Sequence, residues 1–176
     1  GLAAIAVLGL AACQRNSSDS SSSSDSSTKV AIVTDTGGVD DKSFNQSAWE
    51  GLEAWGKEND LTKDTDYTYF QSNSESDYAT NLDSAVSNGY NLVFGIGYNL
   101  HTAIEDAAKE NTDTNYVIID DVVADLDNVS SVLFADNEGA YLAGVAAAMQ
   151  SKTGKVGFVG GMESDTITRF ETGFKE

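Results

Sequence analysis

The chain has no proline in its 176 residues, one cysteine, one histidine, and only 10 basic residues against 28 acidic ones. Each shortage narrows the chemistry. Without proline, turns fall to glycine, asparagine, aspartate and serine, which tolerate or locally hydrogen-bond the reversed backbone. A single thiol excludes a disulfide framework, and a lone histidine, His101, has neither a cysteine partner nor a second ligand for a zinc site. His101 is expected at the surface, near the first turn of its helix. The formal charge of −18 repels phosphate backbones and anionic headgroups, so nucleic acid is excluded as a partner and the ligand should be neutral or cationic. No apolar run approaches the roughly 20 residues needed to span a bilayer.

What the sequence does have begins at its amino end. Residues 1–12 are Gly, Ala, Ile, Leu and Val, the composition of a secretory apolar region running into small residues before a cut site. Leu10-Ala11-Ala12-Cys13 resembles a bacterial lipobox, which implies diacylglycerol on the Cys13 thiol and attachment to a membrane on the extracytoplasmic side. Residues 13–28 follow as a serine-rich tract too polar to repay its ordering, and read as a linker. The folded part is expected from Lys29 onward.

There, short β-branched runs alternate with helical spacing. Strands are predicted at 30–33, 67–70, 91–94, 116–119, 131–134 and 155–159. Between them Phe44, Ala48, Leu52 and Trp55 form one helical stripe, with Ser43 and Gln46 as a capping box. A second helix starts near Ser76 and ends at Gly89, a third carries Leu100, Ile104, Ala107 and Ala108, and a fourth carries Tyr141, Leu142, Val145, Ala148 and Met149 and ends at Gly154. A last helix runs to Glu176. Alternation at this spacing predicts parallel strands joined by right-handed crossovers, a doubly wound α/β fold.

Ligands of such sheets sit outside the carboxyl ends of the strands. The loops at 35–41, 95–99 and 120–122 should therefore converge. Asp35 follows the first strand, Phe44 and Asn45 open the first helix, and Asp120 follows the fourth strand. Carboxylates at strand ends suit paired sugar hydroxyls, and an exposed phenyl ring suits the face of a base. Asp40, Asp41 and Ser43 read equally as helix caps, and Phe44 equally as core at the head of its stripe. Gly37-Gly38 and Gly95-Ile96-Gly97 lack the residues that complete a phosphate loop or dinucleotide fingerprint.

The run from Val30 to Gln46, with its Asp40-Asp41-Lys42-Ser43-Phe44-Asn45 string, resembles the basic membrane protein (Bmp) family of substrate-binding lipoproteins, in its purine nucleoside receptor branch. Val117-Ile118-Ile119-Asp120, the stretch from Asn137 to Ala147 and the stretch from Val156 to Glu163 resemble it as well. The resemblance implies a two-lobed type I periplasmic-binding protein that passes its ligand to the permease and ATPase of an ABC importer. It implies a first lobe over 29–154, a second begun at 155–176, and a ligand cleft lined by Asp35, Phe44, Asn45 and Asp120, with Phe44 stacked on a purine nucleoside. No cofactor, metal or catalytic group is implied, and a monomer is expected. Two alternatives stand beside it: a receptor for another small ligand, such as a sugar or signalling molecule, and an enzyme using Asp35, Asp40 and Asp120 to hold Mg²⁺ for phosphoryl transfer.

Overall fold

The computed structural model describes residues 28–176. Cys13, the apolar segment before it and the serine tract lie outside the described residues.

Five parallel strands form one sheet in the order β2-β1-β3-β4-β5. β1 (Val30–Val33) leads through α1 (Phe44–Glu58) to β2 (Tyr67–Phe70) on one side of it. The chain then reverses direction. α2 (Asp77–Ser87) crosses to β3 (Leu92–Ile96), α3 (His101–Glu110) to β4 (Asn115–Ile119), and residues 120–128 join β5 (Val129–Val132). The doubly wound expectation is met, and the order reverses between β1 and β3.

Side-chain alternation divides the core in two. Ala31, Val33, Val93, Tyr116 and Ile118 point to the face covered by α2 and α3, with Leu82, Ala85, Leu100 and Ile104 packed on them. Val30, Ile32, Tyr67 and Ile96 point to the other face, where Trp49 of α1 stacks edge-on against Tyr69 at 4.8 Å. Gly89, at φ 82°, supplies the left-handed residue past the end of α2 that the sequence predicts.

Other expectations are corrected. The fifth strand is Val129–Val132, two residues earlier than 131–134, because Ile119 pairs with Val132 and leaves Leu133 and Phe134 exposed. Residues 155–159 form no strand. No strand among the described residues pairs with them, and Val159 is 96% exposed. Gly154 does not end the fourth helix. α4 (Asp136–Gln150) stops earlier, and Gly154, at φ 71°, sits in a turn where Ser151 Oγ accepts from the Lys155 N–H at 3.1 Å.

The apolar side of α4 is not its buried side. Leu142 is 68% and Met149 79% exposed, whereas Ala140 and Gly144 are covered by α5 (Asp165–Lys175). The two helices pack chiefly on each other. Ser164 caps α5, its Oγ accepting from the Ile167 N–H at 3.2 Å. Among the described residues no helix is long and apolar enough to cross a membrane.

Candidate functional site

The three loops converge as strand order requires. The Gly97 N–H donates to the Ile119 carbonyl at 3.2 Å, and a Cβ at Gly97 would lie 3.9 Å from Asp35 Oδ2. Asp35 and Gly97 thus flank the point between β1 and β3 where the order reverses, the place at which open α/β sheets receive ligands.

Asp35 is held from three sides. Its Oδ1 accepts from the Asn45 amide Nδ2 at 2.7 Å and from the Gly37 N–H at 2.9 Å, and its own N–H donates to Asn45 Oδ1 at 3.3 Å. The Asn45 amide also donates to Asp41 Oδ2 at 2.9 Å. Asn45 is 2% exposed, so both of its amide hydrogens are engaged inside the chain.

Asp41 begins α1 in place of the expected capping box. Its Oδ1 accepts from the N–H groups of Ser43 at 2.7 Å and Gln46 at 3.1 Å, and its Oδ2 from the Asn45 N–H at 3.2 Å. The Ser43 side chain makes no capping bond, and Gln46 Oε1 instead accepts from the Lys42 N–H at 3.1 Å. An aspartate reaches several donors with its two oxygens and adds charge at the positive end of the helix, which a serine cannot do. Burial pushes the Asp41 carboxyl up, but the hydrogen bonds from Gln46, Ser43 and Asn45 outweigh it and hold it below the usual carboxylate range.

Phe44, at the head of α1, is 57% exposed rather than core. The face of α1 buried on the sheet is set by Asn45, Trp49 and Gly56, so the 44/48/52/55 stripe borders an open cavity of about 630 Å³ instead. Asp120 and Phe134 line that same cavity.

Asp120 takes a left-handed backbone, φ 68°, as soon as β4 ends, and is 7% exposed. Its N–H donates to Val132 and its carbonyl accepts from Thr166 Oγ1 at 3.2 Å. Burial pushes its carboxyl above the usual range, the Asp136 charge pushes the same way, and the Arg169 guanidinium opposes both. Arg169 Nε donates to Asp136 Oδ2 at 3.0 Å and its Nη2 to Thr166 Oγ1 at 3.0 Å. The sequence reading missed this Asp136, Thr166 and Arg169 set. Its one local signal was an acidic residue opening α4, and its other members are brought in only by the packing of α5.

His101 lies half-exposed at the start of α3, with Nδ1 2.8 Å from Asp121 Oδ2. Among the described residues no group of three or more His, Cys, Asp or Glu side chains is arranged to hold a metal ion.

A family model described as ABC transporter substrate-binding protein PnrA-like (Bmp) matches residues 28–176. The chain belongs to the Bmp family. It is 59% identical over 174 residues to the ABC transporter nucleoside-binding protein BmpA of Lactococcus lactis, across 98% of this chain and 49% of that protein. It is 56% identical over 169 residues to the CD4+ T-cell-stimulating antigen of Listeria monocytogenes, across 94% of this chain and 47% of the relative. The chain thus spans about half the length of these Bmp relatives. Among solved structures, an ABC transporter solute-binding protein from Aeropyrum pernix superposes with a TM-score of 0.72 at 29% identity, over 84% of this chain and 42% of that one. Bmp proteins are binding proteins, which takes the phosphoryl-transfer alternative away.

Proposed function

We propose that this Bmp chain forms part of an extracytoplasmic receptor for a purine nucleoside, delivering it to the permease and ATPase of an ABC importer. One observation carries the reading. The exposed ring of Phe44 and the buried, hydrogen-bond-poor carboxylate of Asp120 line one cavity, which runs along the α1 face of the sheet. A flat apolar face beside an acceptor fits a base joined to a polyhydroxyl group. The net charge of −18 favours the neutral nucleoside over its phosphates. The name of the Lactococcus lactis relative supports the same ligand class.

In this reading Phe44 stacks on the base. Asp35, through the Oδ2 that receives no hydrogen bond from the described residues, and Asp120 accept from ligand hydroxyl or N–H groups. Asn45, with both amide hydrogens engaged, acts on the ligand by fixing Asp35. A lipid on Cys13 would hold the receptor at the membrane through the serine tract, as a monomer. The packing of α4 chiefly on α5 supports a second lobe that starts at α4.

Calorimetric titration tests the ligand, using this chain continued at Glu176 by the unmatched half of the Lactococcus lactis relative. Inosine should bind more tightly than hypoxanthine or ribose alone. Binding of free sugars with no response to any nucleoside would transfer the site to the sugar reading.

A further inference from the structure

Arg169 is the sole arginine among the described residues, in a chain of net charge −18. It stands where three segments meet. Its Nε donates to Asp136 Oδ2 at the start of α4, and its Nη2 donates to Thr166 Oγ1 one turn back on α5, both at 3.0 Å. The Thr166 hydroxyl passes the link on, donating to the Asp120 carbonyl at 3.2 Å. Thr166, Asp136 and Asp120 are each at most 8% exposed, so the chain of bonds lies largely out of water, where such bonds are stronger.

The direction of the relay follows from the chemistry of its members. A guanidinium only donates, and a hydroxyl has one hydrogen to give. Because Arg169 takes an acceptor position on the Thr166 oxygen, the Thr166 hydrogen is left for Asp120. The Asp120 N–H is already tied to the Val132 carbonyl. Both backbone polar groups of Asp120 are therefore held, in a left-handed conformation that a non-glycine residue keeps only where its surroundings fix it. What this fixed backbone carries is the carboxylate that lines the cavity with Phe44 and Asp136.

Charge acts at the same place. Burial and the Asp136 carboxylate both disfavour ionised Asp120, and Arg169 alone opposes them. The adjacent acid, Asp121, is taken up by His101 Nδ1 and by the Val122 N–H, each at 2.8 Å. Asp120 and Asp136 thus share one cation.

We propose that Arg169 is the positioning residue for the Asp120 carboxylate: through Thr166 it fixes the backbone that carries the carboxylate, and by pairing with Asp136 it removes the neighbouring like charge. The ligand named in its test rests on the nucleoside reading, whereas the coupling of Arg169 to Asp120 is measured without any ligand.

Two measurements on the chain extended by the Lactococcus lactis half keep these parts separate. The first follows the carbon-13 resonances of the aspartate carboxyls against pH, with Asp120 assigned from Asp120→Asn. Arg169→Gln should move the Asp120 titration up by about 1 pH unit or more, the scale of a close opposite charge, and Asp136→Asn should move it down. The second is inosine titration. In Arg169→Gln the pH below which affinity falls should rise by the same amount, and adding Asp136→Asn should bring it back toward wild type. Thr166→Val should weaken inosine about 3- to 10-fold at every pH, the scale of one hydrogen bond, whereas Thr166→Ser keeps the hydroxyl and should bind as wild type does.

An arginine that only joined α5 to α4 would change Tm and leave the titration in place. An Asp120 titration unmoved in both Arg169→Gln and Asp136→Asn therefore overturns the proposal, and so does wild-type affinity in Thr166→Val. Should Arg169→Gln fail to fold, Asp136→Asn decides the charge coupling and the two threonine variants decide the positioning. Shifted titrations in a protein that binds no inosine, wild type included, would uphold the coupling and overturn the nucleoside reading.

Discussion

Asn45 Nδ2 stands 2.7 Å from Asp35 Oδ1 and 2.9 Å from Asp41 Oδ2, so one buried amide holds two carboxylates that would otherwise repel each other. The amide links the helix cap to the strand end. Through it the start of α1 and the rim of the sheet become one unit, with the ring of Phe44 carried on the preceding residue.

Asn45→Ala should lower stability by about 1–3 kcal/mol, the scale for stripping buried polar groups of their partners. Asn45→Asp should cost more at pH 7, because a third carboxylate replaces the donor, and should recover part of the loss on acidification. Thermal unfolding followed by circular dichroism at two pH values checks both. Equal stability of wild type and Asn45→Ala would mean that the amide bonds are not maintained in solution.

Phe44→Ala should leave Tm within a degree or so of wild type, since the ring is 57% exposed. In the extended chain it should weaken inosine, guanosine and adenosine by a similar factor, about 1–3 kcal/mol for a stacked base. A flat face reads no base edge. A large fall in Tm with unchanged affinity would return Phe44 to a packing role.

The carboxyl of Asp120 is raised, so its ionisation opposes folding. Its contribution is most favourable below the ordinary carboxylate value of 3.8, and is lost as pH rises through that value to the higher folded one. Asp120→Asn should therefore raise Tm at pH 7, with the gain shrinking toward pH 3, and should at the same time abolish nucleoside binding in the extended chain. Stability gained and function lost together mark a residue kept for the ligand. Unfolding curves at pH 7 and pH 3 with matched titrations decide it.

Asp41 behaves in the opposite sense. Its carboxyl is lowered, so it stabilises the fold above 3.8 and loses that contribution as pH falls through its lower folded value. Asp41→Asn should flatten the acid limb of the stability profile and lower stability at pH 7. A profile parallel to wild type below pH 4 would show that the cap does not titrate with folding.

Gly173→Ala would drive a methyl group into the backbone of Asn137. It should release α5 from α4 while leaving the sheet intact. Limited proteolysis should then cut between residues 151 and 164 faster than in wild type, with the far-ultraviolet signal of the sheet unchanged. Loss of the whole fold instead would place the α4 and α5 pair inside the cooperative unit of the sheet.

The sequence by itself determined the layer architecture. β-branched runs alternating with helical spacing allow a parallel sheet and little else, and its polarity placed Asp35, the head of α1 and Asp120 at one rim, because each follows the carboxyl end of a strand or opens the helix beyond it. Local rules also located Gly89, whose positive φ depends only on the turn it makes.

What needed the tertiary structure were the choices between equivalent partners. Periodicity marked Phe44, Ala48, Leu52 and Trp55 as a stripe, but which side of α1 meets the sheet depends on the aromatic residues of β2, and Trp49 settled on Tyr69. Ser43 and Asp41 were equally good caps until Asn45 tied Asp41 to the strand end. Residues 155–159 have the composition of a strand, yet a strand exists only against a neighbour's backbone, and among the described residues they have none. The link from Asp136 through Arg169 to Thr166, and from Thr166 to the Asp120 carbonyl, spans positions far apart in the chain. Only packing of α5 brings them together, because hydrogen bonds and charges act over ångströms while sequence patterns report no more than a few neighbouring turns.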